Sequence, residues 1–163
     1  MARVELTAAA PKSLLSVAFD SDLSEGLERL AEAMRYKVPR SAARAGALVF
    51  YDEMKLRAPV ATGLLRDSIY HWHDDSASDS GRQVYVVGPN VVKAPHWYLV
   101  EYGHWRTNAI VNGRYTPFLL AVPVWTPAHS YIRATWDSKL DEAGRRMRSR
   151  AAERLEEVLT GRH

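Results

Sequence analysis

The sequence predicts an α+β fold, and three observations carry that reading. Residues 23–54 hold two apolar stripes at helical spacing. Residues 64–125 hold β-rich runs broken by glycine and proline, and residues 136–159 return to one long helical stripe. Helices, then strands, then a helix is the α+β order, not the regular alternation that builds a parallel sheet. The expected architecture is two N-terminal helices and one long C-terminal helix packed on a small, mostly antiparallel or mixed β-sheet with an extended hairpin.

Residues 1–20 are small and weakly patterned, with Pro11 interrupting them, and are expected to form an arm or a short edge strand; residues 21–163 are expected to form a single domain. Ser21-Asp22 offers a helix N-cap, and Leu23, Leu27, Leu30 and Met34 follow as one stripe. Pro39 suits the first turn of a second helix, where its missing N–H is no loss, with Ala43, Ala47, Phe50 and Met54 as the buried face. Gly46 beside them suggests a close approach by another element.

Pro59 ends that helix by disfavouring helical geometry at Ala58. Thr62 can bond backbone in the turn, Gly63 can take a positive φ, and the chain is expected to leave as a strand through "LLRDSIYHW". Leu65, Asp67, Ile69 and His71 would share one face, and Arg66, Ser68, Tyr70 and Trp72 the other. Residues 74–82 read as a flexible loop, and "QVYVVGP" as a second strand closed by Gly88-Pro89. The aromatic segment 94–103 is either strand or helical turn. Asn112-Gly113 marks a hairpin whose second arm, holding Pro117 and Pro123, is an edge or irregular ribbon. The final helix is expected from Trp136 to Leu159, with Leu140, Ala143, Met147, Ala151, Leu155 and Val158 along one stripe.

Composition narrows the function. At 163 residues and 47% hydrophobic content the chain can bury a core without metals or cross-links, and with no cysteine it has no disulfide or thiol chemistry. A formal charge of +3 is compatible with a nucleic-acid partner but equally with a solvated surface. No apolar run reaches the length of about 18 residues that spans a bilayer. "MARVELTAAAPKSLLSVAF" is interrupted by Glu5, Pro11 and Lys12 and makes a poor signal peptide. The expectation is a soluble protein made in the cytosol.

Catalytic motifs are missing from the pattern: no GxSxG elbow, no HExxH and no phosphate-binding glycine loop. His71 and His73 share a strand face, and a metal could bridge them with Asp74, Asp75 or Glu101 nearby, yet HxH is a motif of low specificity. Arg146, Arg150 and Arg154 form a basic ridge on the final helix, interleaved with Glu142, Glu153, Glu156 and Glu157 that can pair with it. A DNA-binding module using that helix is the alternative reading. A domain of this size can bury several of Trp97, Tyr98, Tyr102, Trp105, Trp125, Tyr131 and Trp136, and core packing is the commoner fate of any single one, but an exposed share would mark an interface.

"APVATGLLRDSI" resembles the aP-x-x-TG-x-L-R-x-S-I signature of the tail-completion proteins of long-tailed bacteriophages, also called head–tail connector, neck or minor tail proteins, including the lambda-type minor tail protein Z. "APHWYLVEYGH", 94–104, is similar to that family's second block, and "PAHSYIRATWD", 127–137, stands where the family has Pro-Phe-x-x-Pro-Ala before its last helix. Ser130-Tyr131 replaces the Pro-Phe, and Thr135 stands near the expected proline, which implies a different start to the final helix.

The resemblance implies a non-enzymatic virion protein without cofactor or metal, made in the host cytoplasm and built into the tail or neck. It implies a homo-oligomeric ring, a hexamer with a dodecamer as alternative, at the head–tail junction. Its partners would be a tail terminator or tail tube protein on one side and head connector or adaptor proteins on the other. DNA would pass through without sequence reading, and no membrane is involved. Pro59, Thr62, Gly63, Leu65 and Arg66 would form a rigid structural corner setting the angle between helix and sheet. The expected subunit interface comprises Trp97, Tyr98, Glu101, Tyr102, Trp105, Asn112 and Gly113, with the 74–82 loop also reaching a neighbour. Arg66 and Glu101 are expected to pair across the sheet.

Overall fold

The computed structural model describes residues 21–161, so the expected arm at 1–20 lies outside the described residues. The α+β class is borne out. The elements in order are α1 (Ser21–Glu32), a π-helical turn (Ala33–Lys37), α2 (Val38–Arg57), α3 (Leu64–Ser68), β1 (Ile69–His73), β2 (Tyr85–Pro89), α4 (Trp97–Tyr102), β3 (His104–Val111), β4 (Arg114–Thr126) and α5 (Tyr131–Leu159). In place of one mixed sheet there are two separate antiparallel pairs, β1–β2 and β3–β4.

The two expected N-terminal helices are one continuous helical run, joined by the π turn. Pro39 supplies the reason. In an α-helix the residue at position 39 would donate its N–H to the Arg35 carbonyl, but proline has none and its ring would clash there. Widening the preceding turn to i→i+5 bonding, with Val38 N–H donating to Ala33 O, accommodates the ring without ending the helix. The Arg35 carbonyl then accepts from the Gly81 N–H at 2.8 Å. That bond corrects the expectation of a flexible 74–82 loop. The segment is anchored on the helix, and Asp74 Oδ1 gathers the Ser76 and Ala77 amides at 3.1 and 3.2 Å.

Antiparallel packing of α2 against α5 is the spine of the molecule. Arg57 donates to Ser138 Oγ at one end and Arg150 to Ser41 Oγ at the other. Between them Phe50 stacks on Trp136 with centroids 5.1 Å apart. Gly46 is the close approach the sequence suggested: a Cβ there would lie 2.6 Å from Met147 Cγ. Since β1 and β2 cover a second side of α2, its deepest line is Val38, Ala42, Gly46, Ala47 and Met54, while Ala43 and Phe50 are only half-buried.

Met54, Ala58, Leu65, Ile69, Ala94 and Tyr131 form the core cluster, with Trp97, Val100 and Ile132 packed around it. The core therefore sits at the C-terminal end of α2, on both flanks of the Pro59–Gly63 joint. At the N-terminal end Leu23, Leu27 and Met34, on the predicted stripe, are exposed, and among the described residues no core cluster forms there.

The Arg150 guanidinium also reaches Glu157 at 2.9 Å and Glu153 at 3.2 Å. Arg150, and then Arg154, hold the Glu157 carboxyl below its ordinary value of 4.5. A folded value below the unfolded one gives a contribution that is whole above the unfolded pKa and lost as pH falls through the folded one. Unfolding midpoints followed by circular dichroism should therefore fall more steeply below pH 4.5 in the natural chain than in Glu157→Gln. Gly46→Leu should cost about 1–3 kcal/mol through overpacking, measured by urea denaturation, and Met147→Ala in the same chain should restore part of it.

Candidate functional site

The features singled out by the sequence meet at one end of the molecule, where the joint, α4 and the base of the β3–β4 ribbon adjoin. Ala58 has extended geometry (φ −60°, ψ 126°) as the residue before Pro59, and its N–H still closes the last turn on Met54 O at 2.9 Å. Thr62 Oγ1 accepts weakly from the Leu64 N–H at 3.4 Å. Gly63 takes φ 83°, a region that favours glycine, and its carbonyl accepts from the Asp67 N–H at 2.9 Å.

That last bond corrects the strand expected to start at Leu64. Residues Leu64–Ser68 form one helical turn, and Leu65 and Ser68 are both buried at the i, i+3 spacing of a helix. From Ile69 onward the expected alternation holds: Ile69, His71 and His73 face inward, while Tyr70 and Trp72 stack on each other at 4.7 Å on the outside. Ala58 and Leu65 enter the core from the two sides of the joint, so its angle is set by packing as well as by backbone.

Arg66 and Glu101 do not pair. Arg66 is exposed and lies 3.8 Å from its neighbour Asp67. The Glu101 side chain instead points inward, with 1% of the residue exposed. Its Oε2 accepts from the Ile132 N–H at 2.9 Å; its Oε1 accepts from the Arg133 N–H at 3.2 Å and from the Arg133 guanidinium at 3.0 Å. These are first-turn amides of α5, which have no partners inside the helix. Glu101 is thus a remote N-cap, further favoured by the positive end of the helix dipole. It corrects two expectations: Glu101 is an internal brace and not a surface contact, and α5 begins at Tyr131, five residues before Trp136. Ser130 makes no side-chain cap of its own.

Around the brace the contacts close on one another. Arg133 also donates to Glu101 O and Ser130 Oγ, and its guanidinium lies 5.0 Å over the Tyr102 ring. His129 Nε2 meets Arg57 O at 3.1 Å and so covers the open end of α2. Burial, and then the Glu101 charge, push the Tyr131 phenol above its ordinary value. Gly103 ends α4 with φ 78°, and a Cβ there would lie 2.8 Å from Trp125 and 2.9 Å from backbone at Thr126 and Ala128.

The other expected interface residues divide. Trp97 is half-buried against the core, whereas Tyr98, Tyr102 and Trp105 are exposed. The ribbon leaves the body as β3 and β4, turning at Asn112 (φ 51°) and Gly113 (φ 75°) as the hairpin signal predicted, with bulges between Arg106 and Ile110. Its principal contacts are between its own two strands. Trp105, Tyr115, Phe118, Leu119, Val122 and Trp125 are all exposed, Leu119 by 76%. Residues of the ribbon, the joint and α4 together line an open cleft of about 1190 Å³.

The remaining candidates are dispersed. His71 lies edge-on to Tyr51, while His73 is engaged by Asp75 Oδ1 at 2.7 Å and Gln83 Oε1 at 2.9 Å, so Glu101 is not brought to this pair. Of the basic ridge on α5, Arg150 and Arg154 are engaged by Glu153 and Glu157. Among the described residues no helix is long and apolar enough to cross a membrane.

The stretch that matches a known family contains the joint and nearly all of the second block. Residues 21–103, just over half the chain, match the family model described as "Bacteriophage HK97-gp10, putative tail-component". The match runs from the start of α1 to Gly103 and stops before the ribbon and α5. No curated protein and no solved structure matches the chain.

Glu101→Ala should lower stability by about 1–3 kcal/mol in chemical denaturation, because it takes the carboxylate from the part-buried Ile132 and Arg133 amides and from the Arg133 guanidinium. Arg66→Ala should leave it within about 0.5 kcal/mol, as expected of an exposed ion pair. The chain belongs to the HK97-gp10-like family of bacteriophage tail components.

Proposed function

We propose that this tail component is a non-enzymatic ring subunit of the head–tail junction, completing the tail and joining it to the head connector while DNA passes through the lumen. The observation that carries the reading is the β3–β4 ribbon, whose large apolar residues are exposed along its length. Soluble monomers rarely leave a contiguous apolar patch of this kind uncovered, and assembly would cover it. A closed ring requires that each subunit present one patch to a different patch on its neighbour, at an angle repeated in every copy. The joint at Pro59–Gly63, packed on both flanks, suits that requirement. A tail terminator or tube protein on one face and connector proteins on the other complete the proposed setting, with six copies the expected number and twelve the alternative.

The proposal is tested by the state of the purified protein and by the phage. Native mass spectrometry and negative-stain microscopy should find closed rings of one copy number, and virions lacking the protein should be non-infectious. Fully infectious particles without it would end the reading. Phe118→Asp with Leu119→Asp should abolish rings while circular dichroism and the unfolding midpoint stay close to the natural chain, since the ribbon contributes little to the core. A DNA-binding module would instead give duplex affinity that falls steeply with salt. The engagement of Arg150 and Arg154 with glutamates argues for weak binding by the free subunit.

A further inference from the structure

We infer that α1 of one copy docks through its leucine stripe in the cleft under the β3–β4 ribbon of the next copy, an inference that rests on the self-assembly reading above.

The cleft and the helix have complementary chemistry. Leu64, Leu99, Trp105 and Tyr115 give the cleft an apolar wall, Arg106 and Arg114 stand among them, and among the described residues no carboxylate lines it. At about 1190 Å³ it exceeds the roughly 300–1,000 Å³ of small-molecule pockets and suits a polypeptide segment. The whole ribbon, 104–126, contains two arginines and neither aspartate nor glutamate. Helix α1 is the converse. It carries Asp22, Glu25, Glu28 and Glu32 against Arg29, a formal charge of −3 from four acidic residues and one basic. Leu23, Leu27 and Leu30 lie at the i, i+4, i+7 spacing by which amphipathic helices anchor in grooves, and Leu23 and Leu27 are exposed.

One chain cannot join its own two surfaces. Leu27 and Arg57 lie on one continuous helical run, roughly 45 Å apart at 1.5 Å per residue, and the cleft opens beyond Arg57 at Pro59. The stripe and the cleft therefore sit at opposite ends of a stiff rod. Each copy offers one helix and receives one, a head-to-tail contact that closes into a ring when the rotation permits. The opposed charges orient the encounter and make it sensitive to salt.

The chain has no cysteine, so introduced thiols report the contact directly. Leu27→Cys and Tyr115→Cys, purified separately, mixed and oxidised, should give a mixed disulfide dimer identified by peptide mass mapping. Each alone should give only background, and the double variant should give a ladder of higher oligomers. Glu28→Lys should weaken association by roughly tenfold, and Arg114→Glu in the same chain should recover part of it. Rings that persist with only like-to-like cross-links, or with none, overturn this docking and leave the ring reading standing. A chain that stays monomeric and uncross-linked at every concentration overturns both.

Discussion

The Glu101 carboxylate, buried at the start of a 29-residue helix, is the centre of the polar contacts that tie α4 to α5. A buried charge is stable only with partners, and here they are two first-turn amides, a guanidinium and the helix dipole. The arrangement works in both directions. It satisfies amides that α5 cannot satisfy itself, and it holds α4 at the root of the ribbon. Tyr131, the first residue of α5, then seals the core beside Ala58 and Leu65. The angle at the joint is consequently fixed by the far end of the chain as well as by Pro59 and Gly63.

A second constraint acts at the other end of the same rod. Pro39 could have ended the N-terminal helix; a π turn absorbs it, and the Gly81 amide takes the carbonyl that the proline leaves. The result is one helical run with a packed end and a bare end. Core, brace and cleft collect at the packed end, while the bare end displays leucines and carboxylates. In the proposed head-to-tail assembly this polarity would hold donor and receiver a constant distance apart.

Much of the joint was legible in the chain. Pro59 marks the helix end, Gly63 the positive φ, Asn112-Gly113 the hairpin turn and Gly46 the close approach, each through a backbone or steric property local to the residue. The interface candidates were less legible. Glu101 followed by Tyr102 and Gly103 reads as one polar residue in an aromatic surface segment, and the three sequential neighbours do divide between inside and outside. A buried glutamate four residues after a half-buried tryptophan is the one signal available, and helical spacing reveals it only once the segment is known to be helix and not strand. The exposed state of the α1 stripe had no sequence signal, since a stripe facing a core and one facing a neighbour have the same period.

The sequence by itself determined the α+β order, the apolar stripes of the helices and the turn positions, because these depend on periodicity and on proline and glycine, whose effects are local; the phage tail family was legible through the resemblance of its motifs, not through periodicity. Tertiary structure alone decided that Glu101 caps a helix thirty residues downstream, that Arg66 stays at the surface, and that residues Leu64–Ser68 make a helical turn before the strand. Those outcomes depend on which distant groups a fold brings within hydrogen-bond reach, and burial then forces each polar group to take the partner it meets.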